Sequence, residues 1–150
     1  MKAKLHAAAG GVALLTVSCF WIATIAAELT ANAEIIATAK AVILAGMVVL
    51  IPAMIIAGGT EFSLGKGWRR PGVQHKKRRM RIIAANGLLV LLPSAYVLAG
   101  WAAEGRFDTA FIIVQTLELA AGALNIALLS LNMRDGLALR RKPAGAVRAG

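Results

Sequence analysis

A single cysteine, Cys19, stands in this sequence of 150 residues, so no internal disulfide is possible and cysteine usage says nothing about the redox compartment. Charge is also scarce. Only 16% of residues are charged against 59% hydrophobic, and the mean hydropathy is +0.71. A soluble fold of this size cannot hide that much apolar surface. No dyad alternation of apolar and polar residues is present, which argues against transmembrane strands, and there is no internal repeat. Nor is there a P-loop, a nucleophile elbow or a metal-ligand cluster of recognised spacing, so enzyme chemistry lacks support.

What remains is a set of long apolar runs. Four can be read, at about 6–29, 33–58, 82–103 and 109–132. Each reaches the roughly 20 residues a helix needs to cross a bilayer core. The expected fold class is therefore all-α: an integral membrane bundle of four transmembrane helices over 1–139, followed by a flexible basic tail over 140–150. The opening Met-Lys-Ala-Lys and the apolar run after it resemble a signal peptide only in part. Nothing charged lies between Lys4 and Glu28, far longer than a signal h-region of about 7–15 residues. A lipid anchor at Cys19 is a poor fit to the preceding Leu15-Thr16-Val17-Ser18.

The formal net charge of +10 suggests nucleic acid until its placement is considered. Fifteen of the 17 basic residues sit at Lys2 and Lys4, between Lys66 and Arg81, and between Arg134 and Arg148. These are the flanks of the apolar runs. Glu28, Glu34, Glu104 and Asp108 lie at the two short turns, with Arg106 as their one basic neighbour. The positive-inside rule then places the 59–81 loop and both termini in the cytoplasm of a bacterial inner membrane, and hairpins 29–33 and 104–108 outside. Asn32 and Asp108 are placed to cap the second and fourth helices. Gly58-Gly59 and Gly136 are expected to end these helices, and Pro52 and Pro93 to kink the second and third.

Polar residues inside the runs are the candidate site. Gln115, Glu118, Gly122, Asn125 and Asn132 fall within an arc of about 100° on the fourth helix, a stripe that must face other helices or water. Lys40 and Glu118 are the formal charges well inside the spans. Counted from Asn32 and Asp108, both lie about 12–15 Å along their helices, so they are at one depth. Lys40 pairs with Glu118, or with Glu28 by snorkelling outward. The stripe serves either as interhelical glue or as a conduction or cofactor-facing surface. His6 and His75 both map to the cytoplasmic side, where two imidazoles suit a haem b iron. Lys76, Lys77, Arg78 and Arg79 read as a solvated loop gripping anionic lipid head groups or an acidic partner. Met47 and Met54 suit either packing or copper.

Leu5-His6, the stretch Leu50-Ile51-Pro52-Ala53-Met54 and the segment from Lys77 to Gly87 resemble small proteobacterial four-helix membrane proteins of unassigned function. The early histidine in a compact four-helix chain is also similar to haem-associated families, the copper-resistance D-like proteins and the membrane protoporphyrinogen oxidase. That similarity implies haem without supplying a second ligand residue. The leading expectation is a small inner-membrane accessory or interaction subunit, as a homo-oligomer or within a larger membrane complex. A b-haem redox protein and a small proton-coupled carrier are the alternatives.

Overall fold

The computed structural model describes the backbone of residues 2–64 and 71–141 and the side chains of 5–58 and 78–138. Among the described residues the chain is helices and turns: α1 (Lys2–Leu29), α2 (Ala33–Leu64), α3 (Pro71–Asn86), α4 (Leu92–Ala103) and α5 (Thr109–Arg141). A π-helical segment, Gly87–Leu91, joins α3 to α4, with helical dihedrals at Asn86 and Leu92 on either side. The three pieces make one rod. The four rods contain stretches long and apolar enough to cross a membrane: Leu5–Leu29, Ala33–Gly58, Arg78–Ala103 and Thr109–Ala138.

The short turns behave as their residues dictate. Asn32 Oδ1 accepts from the backbone N–H of Glu34 at 2.9 Å and Ile35 at 3.2 Å, and Asp108 Oδ1 accepts from Phe111 at 3.0 Å. Each cap satisfies amide groups that the first turn leaves unpaired. Gly105 takes φ +70° in the second turn, a conformation glycine adopts without cost. Ala31 takes φ +51° in the first.

Several expected boundaries are corrected. The helix runs through Gly58-Gly59 to Leu64 and through Gly136 to Arg141. One glycine costs a helix only about 1 kcal/mol relative to alanine, and after Gly136 good helix formers resume at Leu137, Ala138 and Leu139. The fourth helix also gains a tie, because Asp135 binds Arg79 of α3 at 2.7 Å. The basic stretch expected as loop is helical from Pro71 onward. Proline is preorganised for a first helical turn, and Gln, Lys and Arg are good helix formers. Lys76 and Lys77 lie on α3 with side chains outside the described residues, as does His75. The tail beyond Arg141 lies outside them altogether. At Pro93 the break takes the form of the π segment just before it, while α2 continues through Pro52.

The rods form a ring. α1 packs on α2 and α5, α4 packs on the same two helices, and α3 lies against α5. Thus α2 and α5 face each other across the bundle. Two apolar layers fill it. One, toward the short turns, contains Ala27, Ile36, Leu98, Ala102 and Phe111. The other, deeper, contains Ala13, Val17, Ile43, Met47, Leu50, Ala53 and Ala95. Phe20 packs on this deeper layer over Gly46, where a Cβ would run into its ring.

Candidate functional site

Between the two layers lies a charge. In α2, Lys40 falls between Ile36 of one layer and Ile43 of the other, and its side chain is 1% exposed. Its ammonium donates to Glu118 Oε2 at 2.5 Å across the ring. Gln115, one turn earlier on α5, donates from Nε2 to the same oxygen at 3.2 Å. A buried ion is tolerable only when paired and hydrogen-bonded, and Glu118 receives both kinds of partner. Lys40 does not snorkel to Glu28. Glu28 nevertheless stands within electrostatic reach of both members of the pair. Its Oε1 is buried with no donor, as is Oε1 of Gln115.

The polar stripe on α5 is buried along its length: Gln115, Glu118, Gly122, Asn125 and Asn132 all face inward. Asn125, fully buried, is held by Asn86, whose Nδ2 donates to its Oδ1 at 2.9 Å and to the Ala121 carbonyl at 2.8 Å. Asn125 in turn donates from Nδ2 toward the Ile83 carbonyl at 3.5 Å. This amide pair sits where α3 passes into the π segment, a distortion common at functional sites. Asn86 is a residue that sequence reasoning missed. Its signal was an amide in an apolar run, seven residues before Pro93. Thr24 and Ser94, also buried, were missed as well, because hydroxyl groups are common in apolar helices.

A cavity of about 40 Å³ adjoins the ion pair. That is room for a water molecule or two. Its wall includes Glu118, Thr24 and Trp21 with apolar neighbours such as Val17, Met47 and Leu91. Trp21 closes over Gly122 and donates from Nε1 to the Leu119 carbonyl at 2.9 Å.

At the other end of the bundle, His6 Nδ1 lies 3.0 Å from the Ala57 carbonyl. A carbonyl only accepts, so Nδ1 carries the hydrogen. Metal-binding imidazoles are commonly oriented in this way. His75, the second candidate, has its side chain outside the described residues. Among the described residues there is no group of three or more His, Cys, Asp or Glu side chains placed to hold a metal ion. Met47 packs in the deeper layer, and Met54 lies against Gly87, where a Cβ would come 2.9 Å from its Cε. The stretch ending in Met54 and the segment ending in Gly87 are therefore neighbours in space.

Outside the apolar zone, Arg106 donates to Asp108 Oδ2 at 2.6 Å and stacks over the Trp101 ring at 4.5 Å. The Asp108 carboxyl is held below its usual range, first by that hydrogen bond and then by the Phe111 amide. Arg78, Arg81 and Arg134 are exposed at the opposite end, around the Arg79–Asp135 bridge.

Comparison with known protein families, curated proteins and solved structures finds no match for this chain.

Proposed function

We propose that the chain is a multi-pass protein of a bacterial inner membrane, with both termini cytoplasmic, acting as a small accessory or interaction subunit. The observation that carries this reading is the basic collar. α3 and α5 extend as helices at one end of the apolar rods and present Arg78, Arg81 and Arg134 outward. A helical collar holds cations at defined spacing, which suits anionic lipid head groups and an acidic partner surface better than a loop does. Each cation near a negative membrane surface contributes about 1 kcal/mol. The outward faces of the rods carry large apolar side chains such as Leu15, Ile22, Val48 and Ile113, as lipid or a second copy requires.

The test is neutralisation of Lys76, Lys77, Arg78 and Arg79 together, compared with His75→Ala. The reading expects the fourfold variant to lose anionic-lipid binding by native mass spectrometry and to lose its cross-links to a partner or second copy. His75→Ala should retain both. Equal behaviour of the two variants would count against the collar.

The orientation of His6 favours haem b as a second reading. His6 would help hold the haem, which would supply one-electron chemistry when bound. A Soret band in the purified protein that disappears in His6→Ala would put this reading first.

A further inference from the structure

Lys40 of α2 and Glu118 of α5 are paired, and Glu28 of α1 stands within electrostatic reach of both, so two carboxylates act on one ammonium. The fourth wall adds no charge. The one titratable side chain of α4, Tyr96, is exposed. Glu34, Glu104, Arg106 and Asp108 at the neighbouring turns are exposed as well. With both carboxylates ionised, the cluster has a net negative charge inside an apolar bundle. It also has two acceptors without donors, Oε1 of Glu28 and Oε1 of Gln115, the latter on a side chain only 6% exposed.

One proton answers the excess charge and the Glu28 oxygen that lacks a donor. On Glu28 it cancels the excess charge and turns a carboxylate oxygen into an O–H donor. Two close carboxylates commonly share a proton for the first of these reasons. A metal cation fits less well. It gathers a full shell of oxygens, whereas two are unengaged here, and the Lys40 ammonium already occupies the place beside Glu118 and would repel it.

We propose that Glu28, Lys40, Gln115 and Glu118 form a proton-binding site in which Glu28 holds one exchangeable proton, entering from the α1–α2 turn, while Lys40 remains bound to Glu118. Glu28 is the accessible member, half-buried and two residues before Thr30 of the turn; Lys40 and Glu118 are buried. When the proton leaves, the Glu28 carboxylate competes for the Lys40 ammonium and draws α1 into a tie that otherwise joins only α2 and α5. Proton occupancy thereby sets how many helices the buried ammonium holds.

Infrared difference spectroscopy on the full chain in lipid nanodiscs tests this. At neutral pH, above the range where exposed carboxylates protonate, the wild type should show a protonated-carboxyl C=O band of one group per chain. The band should shift in D₂O and vanish on alkaline titration. It should be absent from Glu28→Gln and present in Glu34→Gln. If Glu28→Gln does not fold, Glu28→Asp decides: a band displaced in frequency supports the assignment to Glu28, and a band unchanged in frequency and amplitude overturns it. A wild type without the band overturns the proposal, as does one without it that is stabilised by sodium chloride but not by potassium chloride. None of these readouts depends on a partner, so failure of the accessory-subunit reading leaves the test intact.

Discussion

Lys40 and Glu118 meet at 2.5 Å although their helices stand on opposite sides of a four-rod ring. The pair is the crosspiece of the bundle, and it lies between two apolar layers. Removing Lys40 leaves Glu118 with only the Gln115 amide, and removing Glu118 leaves the buried ammonium with only Glu28 in electrostatic reach. Lys40→Met and Glu118→Gln should each destabilise the bundle, by about 3–5 kcal/mol for the variant that strands a charge, and the double substitution should recover part of the loss. Thermal unfolding in mild detergent measures all three. Strictly additive losses would show that the contact contributes nothing of its own.

Asn125 makes a sharper demand than its size suggests. With Asn125→Ala, the Asn86 amide keeps the Ala121 carbonyl but loses its acceptor on Asn125. An unsatisfied buried polar group costs about 1–3 kcal/mol, and the cost should be smaller in Asn86→Leu with Asn125→Leu, where both partners are gone. The same melts distinguish the two.

Two glycines with close neighbours should respond in opposite ways. A Cβ at Gly87 meets the flexible end of Met54, which can move aside, so Gly87→Ala should be neutral or stabilising by up to about 1 kcal/mol. A Cβ at Gly46 meets the Phe20 ring in the packed core, so Gly46→Ala should cost about 1–3 kcal/mol. Comparable melting temperatures for the two would contradict this packing.

The outer turn has its own acid dependence. Because the folded state holds the Asp108 carboxyl below its ordinary value, its contribution is fully present above the ordinary carboxylate range, about pH 4, and is lost as the pH falls through the lowered value. Asp108→Asn keeps a capping side chain but loses the charge facing Arg106. Its stability should fall less steeply with acid than that of the wild type, as followed by melting at stepwise lower pH.

Topology is the remaining prediction. In a Cys19→Ser background, single cysteines at Thr30 and Gly105 should react with an impermeant reagent from outside intact cells, and one at Arg78 should react only after lysis. Outside labelling at Arg78 would reverse the orientation inferred from the basic residues.

Elements that depend on local order were legible. The four apolar runs, the caps at Asn32 and Asp108 and the inward polar stripe each follow from spacing along one helix, because period and side-chain chemistry are properties of the chain itself. Depth was legible too, since rise per residue placed Lys40 and Glu118 at one level. Helix ends at glycine were misjudged, because the loss at one residue competes with contacts made elsewhere, as Asp135 shows with Arg79.

The sequence by itself determined that four apolar helices would form, and that few charges would lie among them. Only the tertiary structure decided that Lys40 would choose Glu118 over Glu28, and that Asn86 would hold Asn125. These choices depend on the rotation and neighbours of separate helices, which no periodicity within a single helix encodes. The physical reason is desolvation. A buried charge or amide takes whichever partner the packed bundle brings within hydrogen-bond reach.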